Sequence, residues 1–589
     1  MNVKLWKGSR NDLSDPVGTI MENRGVEDYK TYMNLDDSCL NSPWKLDDIE
    51  YAVMMLNKHL WKKSTISILV DCDVDGFTSA SMMFQYLKAI GYFRKINVLY
   101  HSGKEHGLSK EIEVPPETTL LIIPDAGSND VEQCKELHEK GIDILILDHH
   151  ICDRENPYAI IVNNQNGTYP NKELSGAGIV YKFLQAVDES NWTDVADRYL
   201  DLVAVGNIGD VMDMHSHETK RLCTKGLARI VNPMICALVE ANSFNIKGDP
   251  TINDVQFYIV PMMNALIRVG SSEQKKRMFR AMVGEEQTFQ YTPTRGKNAG
   301  VTIDETLAQH VARECSSCKY QQNKAKDKAV GELQNWISKY GADRSKILFC
   351  NSTGILDSNL TGVVAIKLAE MYAKPCVLLR EMTCSEEEPD ENHEYFGGSM
   401  RNPDGSPIES LKEFLMSTGD FESVLGHDNA AGVKIKKKNV PKAIADCDEL
   451  LKDVTMSKAI VVDFDFDYNK LNVALPKTMY EMHKVWAQGI SEPYFYIRNI
   501  PLAHSGCAPM GKNGNMWKYS DEEKGIDFVC FNDNGRLIDW IEDGFEDDEV
   551  VTFYGDNYAK IINAVCRLSL NQYGNKVTPQ AQIIDFEVI

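Results

Sequence analysis

No apolar run in these 589 residues approaches the ~20 that a membrane span requires, and the opening "MNVKLWKGSRNDLSDP" lacks the apolar core of a secretory leader. A cytoplasmic protein without membrane contact is therefore expected. The 15 cysteines are scattered, odd in number and without framework spacing, which argues against a disulfide-stapled fold and fits reduced thiols. Cys315 and Cys318 form one C-x-x-C, but no second pair or His pair stands at zinc-finger spacing and the flanks read as helix, so the two are expected to be incidental. Positive charge is also scarce. Against 86 Asp and Glu there are 63 Lys and Arg, a net charge of −23, which argues against indiscriminate duplex binding through a wide basic surface. A local cationic track is still compatible with that balance. Lys434, Lys436, Lys437 and Lys438 form one short basic run, which a solvated strand edge explains equally well. The acidic runs "SEEEPDENHE" and "DWIEDGFEDDE" read as solvated faces or loops. No internal repeat is visible.

What is present is ordinary globular material, 43% hydrophobic and 25% charged, in a chain long enough for roughly three to five domains. Residues 1–60 read as a helical lead-in, with helical spacing in "LDDIEYAVMMLNKHLWKK". Residues 61–215 alternate strand-like and helix-like segments, the signature of an α/β domain on a parallel sheet. Thr78 or Ser79 is expected to begin a helix that stops at Gly91, and "INVLY" supplies a further strand. Residues 216–343 read as a helical connector ending in one long helix that ties two lobes together across a cleft. A second, smaller α/β lobe is expected over 344–455. Residues 456–589 are strand-rich and fit a small barrel or sandwich, the OB type among them, with Trp517, Tyr519 and Phe531 as candidate stacking aromatics against the commoner fate of core packing.

The chemistry lies at the ends of apolar runs. Ile66 to Val70, Thr119 to Ile123 and Ile144 to Leu147 read as buried parallel strands, and such sheets bind ligands at their carboxyl ends. Asp71, Asp73, Asp75, Asp125, Asp148, His149 and His150 then converge on one rim, with Asp210 joining from a fourth run, "VAVGNIGDV". Taken alone, D-x-D-x-D is a solvated acidic turn and "DHH" merely polar. Together, like charges this close would raise one another's pKa unless cations neutralise them. Oxygen donors with one or two imidazoles suit Mn or Mg better than Zn or Cu.

These residues carry a resemblance. "DCDVDGFTSA", "PDAG", "LDHH", "ELSGAGIVYKF", "LDLVAVGNIGDV", "PMMNALIRVG", "GGSMR" and "LGHDNAAG" follow in the order found in the DHH phosphoesterase superfamily, and within it the chain resembles the RecJ-like single-strand-specific exonucleases. The resemblance implies a phosphodiesterase using two divalent cations, Mn or Mg, with Asp73, Asp75, Asp125, His149 and Asp210 as ligands and Asp125 bridging. It places His150 at the scissile phosphate as a catalytic residue and leaves Asp71 between a catalytic role and support of the ligands. Arg268, Ser399, Arg401 and His427 match positions that embrace nucleic-acid phosphate, and Lys104 and His106 are assigned to the same track. Leu425, Ile267 and Ala126 depart from the family pattern, which bears on end specificity rather than on any metal ligand.

The function implied is hydrolysis of single-stranded DNA from the 5′ end with release of mononucleotides, in DNA repair, recombination or replication. Single-stranded DNA is the expected partner, with a single-stranded-DNA-binding protein or a helicase on the protein side, and a monomer is expected. The alternatives are a phosphodiesterase for short oligonucleotides or cyclic dinucleotides, and a non-catalytic replication or repair scaffold. The filled ligand positions count against the last.

Overall fold

The computed structural model describes residues 1–101, 105–109, 111–294, 299–357, 360–382, 394–456, 459–511, 515–543, 552–554, 557–573 and 576–589. Lys104 and much of both acidic runs lie outside these residues. The chain divides into two units. One comprises Arg24–Lys319 with Glu481–Glu492, the other Met1–Asn23, Tyr320–Tyr480 and Pro493–Ile589. Among the described residues no helix is long and apolar enough to cross a membrane.

The first unit is built on a five-stranded, all-parallel sheet. Its spatial order is Ile96–Tyr100, Ile66–Val70, Leu120–Pro124, Asp143–Asp148, Ile160–Asn163. Ile66–Val70 and Leu120–Pro124 are buried at every position, as expected for strands covered on both faces. From Ile66–Val70 the chain adds one strand on one side and then three on the other. The order therefore reverses between Ile66–Val70 and Leu120–Pro124, which is where open α/β sheets take ligands. Asp71 and Asp125 follow these two strands directly.

The helix after the first of these strands runs Val74–Ala89, four residues earlier than the Thr78 start expected from the sequence. The reason is local. Asp73 itself is the N-cap, accepting from the Gly76 N–H at 2.9 Å. The chain leaves the helix through Gly91 at φ +85°, a conformation that favours glycine. The fourth apolar run is a helix, Leu200–Gly209, apolar nearly all round and correspondingly buried, with Asp210 at its C-terminal cap.

Within the segment expected as a helical lead-in, Ile49–Lys62 is helical and belongs to the first unit. Residues 1–23 belong to the second, where Val3–Leu5 pairs in parallel with Ile460–Val462. The long connector helix is present as Leu307–Tyr340, with Cys315 and Cys318 buried upon it. The second unit holds a mixed five-stranded sheet ordered Phe421–His427, Ala430–Lys436, Tyr395–Arg401, Cys376–Glu381, Leu348–Asn351. It also holds a strand-rich sheet whose path runs Phe464–Asp467, Phe495–Ala503, Asn557–Tyr573, Lys576–Val588, Ile526–Cys530, Met516–Asp521, Cys507–Met510. Trp517 and Tyr519 are core residues of this sheet, Trp517 donating its Nε1–H to Asp533 Oδ1 at 2.7 Å. Core packing has taken both, and only Phe531, 52% exposed, is available for stacking.

Candidate metal centre

The first unit brings the strand-end acids together. Asp71, Asp75, Asp125 and Asp148 are each 1% exposed, although each is a carboxyl. Burying charge without compensation is costly, so every oxygen has to be accounted for. Asp75 Oδ1 accepts from Ser175 Oγ at 2.9 Å and from the Ala177 N–H at 3.1 Å. Its Oδ2 is buried with no hydrogen-bond partner among the described residues, and so are Asp125 Oδ1 and His149 Nε2. Two of these orphans lie together, His149 Nε2 being 3.3 Å from Asp125 Oδ1, and the same nitrogen is 3.3 Å from Asp210 Oδ2.

Glycines make the close approach possible. A Cβ on Gly76 would stand 2.6 Å from Asp71 Cβ, one on Gly176 would stand 2.5 Å from Asp125 Oδ1, and one on Gly206 would stand 2.4 Å from Asp75 Oδ1. Three helices thus press bare backbone against three aspartates. Asp125 is held at φ +68°, its N–H donating to Leu147 O at 2.8 Å across the neighbouring strand. Asp and Asn enter this left-handed region more readily than other side chains. Gly206→Ala is expected to keep the fold but displace Asp75, costing about 10²-fold in turnover, since misplacement by ~1 Å is enough for that. Full activity with an unchanged circular dichroism spectrum would refute the assignment of Asp75 to the centre.

The electrostatics are those of a site built for cations. Burial, followed by the charges of Asp71 and Asp75, pushes Asp73 up to about 6. Burial, then Asp75 and Asp73, pushes Asp210 up to about 8 and Asp125 well above the usual carboxylate range. Burial holds His149 below the ordinary imidazole value, so its ring is neutral and ready to ligate. Asp125, His149 and His150 offer donor atoms within 4.8 Å of one another, and Asp71, Asp73 and Asp125 form a second such group. Asp125 is common to both. Orphaned buried oxygens, mutually raised carboxyls and a neutral imidazole fit divalent cations of the Mn or Mg class.

His150 differs from His149. Its ring is half exposed, and its Nδ1 lies 2.8 Å from Asp148 Oδ1. Asp148 has both oxygens hydrogen-bonded. Its Oδ1 also accepts the N–H of His149 and of His150, and its Oδ2 accepts that of Ser128. Burial raises the Asp148 carboxyl, but the bond and charge of His150 outweigh it and bring the carboxyl to about 2. In return Asp148 lifts His150 to about 9, against burial.

Asp71 accepts from His106 Nδ1 at 2.5 Å and from the Gly107 N–H at 2.9 Å, with His101 Nε2 at 3.5 Å. Burial raises its pKa, yet the bonds to His101, His106 and Gly107 hold it below the usual carboxylate range. His106, assigned from sequence to a phosphate track, is thus also a partner of Asp71. The roles of Ser175, Gly176, Gly206 and His106 were not foreseen; their motifs stood in the sequence, but nothing local shows which backbone meets which carboxylate.

Arg268 is exposed at the end of the helix Val260–Val269, which packs against Val74–Ala89 and Leu200–Gly209. Ser399, Arg401 and His427 lie in the second unit. Its register sets Arg401 and His427 on either side of Ala430. Ser399 Oγ and Thr361 Oγ1 are 2.9 Å apart, and Arg401 donates to Met400 O at 2.7 Å. A Cβ on Gly362 would meet Arg401 Nη2 at 2.5 Å, so glycine leaves the guanidinium its place.

The model of the DHH family, N-terminal domain, matches residues 65–207. A protein of Bacillus subtilis (strain 168) described as an SPbeta prophage-derived single-strand DNA-specific exonuclease, YorK, is 34% identical over 587 residues, covering 98% of this chain and 97% of that protein. The single-stranded-DNA-specific exonuclease RecJ of the same organism is 25% identical over 97% of this chain and 68% of its own length. Among solved structures, RecJ from Thermus thermophilus in complex with Mn2+ aligns at a TM-score of 0.69 and 18% identity, over 100% of this chain and 78% of that one. That likeness speaks for the fold. The end-to-end match to YorK, with the family model over residues 65–207, shows that the chain belongs to the DHH family, among its RecJ-like members.

Proposed function

We propose that this chain is a metal-dependent exonuclease that hydrolyses phosphodiester bonds of single-stranded DNA from the 5′ end and releases mononucleotides. The observation that carries the reading is Asp125, which belongs both to the group with His149 and His150 and to the group with Asp71 and Asp73, with its buried Oδ1 unpartnered among the described residues. Asp73, Asp75, Asp125, His149 and Asp210 would hold two divalent cations. Bound there, the cations would polarise the phosphoryl oxygens and lower the pKa of an attacking water.

The remaining steps belong to side chains. Asp148 holds His150 by Nδ1 and keeps it protonated, so Nε2–H is free to donate to the scissile phosphate or to the leaving oxygen. Asp71 takes the catalytic role of orienting this end of the strand through His106 and Gly107 rather than serving as a ligand. Arg268, Ser399, Arg401 and His427 grip phosphates of the substrate, Arg by a bidentate fork. Residues 344–455 act as the substrate-binding lobe, and the strand-rich 456–589 as an OB-like groove for single strands. The names of YorK and RecJ support the substrate class. The protein acts as a cytoplasmic monomer in DNA repair or recombination, recruited by a single-stranded-DNA-binding protein or a helicase.

The test is a polarity assay on long single strands labelled internally and blocked at either end, with Mn2+ or Mg2+. Mononucleotides are expected from the 3′-blocked strand and none from the 5′-blocked one. Faster cleavage of dinucleotides than of long strands would replace this reading by a short-oligonucleotide phosphodiesterase.

A further inference from the structure

We infer that Cys72 and His106 form a binding site for one thiophilic divalent cation of the zinc class, separate from the carboxylate centre. Cys72 Sγ lies 3.8 Å from His106 Nε2. Bond lengths of about 2.3 Å to sulfur and about 2.0–2.1 Å to nitrogen place a shared cation between them at an S–metal–N angle of about 120°, close to tetrahedral. The ring is already aimed. Its other nitrogen, Nδ1, is bonded to Asp71 Oδ2 at 2.5 Å, and Asp71 is fixed in turn by the Gly107 N–H at 2.9 Å. A carboxylate behind a ligating imidazole sets its tautomer and raises its basicity.

The donors of Asp71, Cys72 and His106 lie within 4.8 Å of one another. His106 has a side chain 58% exposed and Cys72 is half-buried, so a cation has a path in and water can complete its coordination. Softness separates this site from the neighbouring centre. The carboxylate centre offers oxygen and imidazole, whereas a thiolate selects zinc or cadmium over manganese or magnesium. Binding releases the thiol proton and any proton on Nε2.

The consequence for activity rests on the proposed nuclease function, while the binding itself does not. Cys72 separates Asp71 from Asp73 in the chain, so a cation held on its Sγ constrains the turn that aims both carboxylates. The centre loses activity when the site fills.

The experiment uses the full reduced chain in excess Mg2+, with Cd2+ added and the ultraviolet thiolate-to-cadmium absorption recorded. The wild type is expected to show one more thiolate equivalent than Cys72→Ser. His106→Gln is expected to keep the sulfur band with affinity at least about tenfold weaker, since even an outer-shell partner of a ligand is worth about 10–100-fold. In the nuclease assay with Mn2+, the midpoint of Zn2+ inhibition should rise by a similar factor in Cys72→Ser, whose activity without zinc is unchanged. Superimposable cadmium spectra of wild type and Cys72→Ser, or undiminished affinity in His106→Gln, overturn the site. Equal zinc inhibition of all three proteins overturns its effect on activity. A cadmium signal as expected in a chain that cleaves no DNA would instead refute the nuclease reading and leave the site standing.

Discussion

Asp125→Asn is expected to lower the exonuclease rate by about 10³-fold or more, because Lewis-acid stabilisation at such a centre is worth several kcal/mol and each 1.4 kcal/mol is about tenfold. Asn is the informative replacement. It keeps the shape and tolerates the φ of +68° that Asp125 adopts, so the loss is one of charge rather than of fold. Stability should move the other way. The metal-free wild type carries Asp73 raised to about 6, Asp210 raised to about 8, and Asp125 raised well above its ordinary value. A carboxyl whose folded pKa exceeds the unfolded one stabilises the fold fully below the unfolded value of about 4, and that contribution is lost as pH rises through the folded value.

The metal-free protein should therefore melt at progressively lower temperature between about pH 4 and pH 8, and divalent cations should reverse the trend. Asp125→Asn should flatten the pH dependence, raise the metal-free melting temperature at pH 8, and shrink the shift produced by Mn2+. A variant that kept a tenth of the wild-type rate, or an undiminished manganese shift, would remove Asp125 from the centre.

The second large effect is at His150. His150→Ala should reduce kcat by about 10²–10⁴, the usual contribution of a positioned acid or base, while the melting-temperature shift caused by Mn2+ stays as in the wild type. His149→Ala should abolish both. The contrast follows from geometry: His149 Nε2 is buried among Asp125 and Asp210, whereas His150 turns Nδ1 to Asp148 and exposes half its ring. If the two variants lost the manganese shift equally, His150 would be a ligand and the proposed division of labour would fail.

The sequence by itself determined the elements that carry the site. Branched apolar runs at Ile66–Val70, Thr119–Ile123 and Ile144–Leu147 marked the buried parallel strands that run Ile66–Val70, Leu120–Pro124 and Asp143–Asp148, and the acids at their ends pointed to hard cations. Periodicity is a local property, so it is legible locally. The 34-residue helix Leu307–Tyr340 was legible for the same reason. The helix start at Val74 was misplaced because the Asp73 carboxylate serves two ends at once, capping backbone and facing the acidic cluster.

Only the tertiary structure decided the rest. Strand order put the reversal of the sheet between Asp71 and Asp125, and strand order depends on which buried faces meet across dozens of residues. Gly176 and Gly206 became part of the site because their missing side chains let helices reach carboxylates far away in the chain. Trp517 and Tyr519, equally suited by composition to stacking on bases, were taken into the core because burying their apolar surface stabilises the sheet that holds them. His106 acquired its role in the same way, through a hydrogen bond to Asp71 that no local pattern in the sequence can specify.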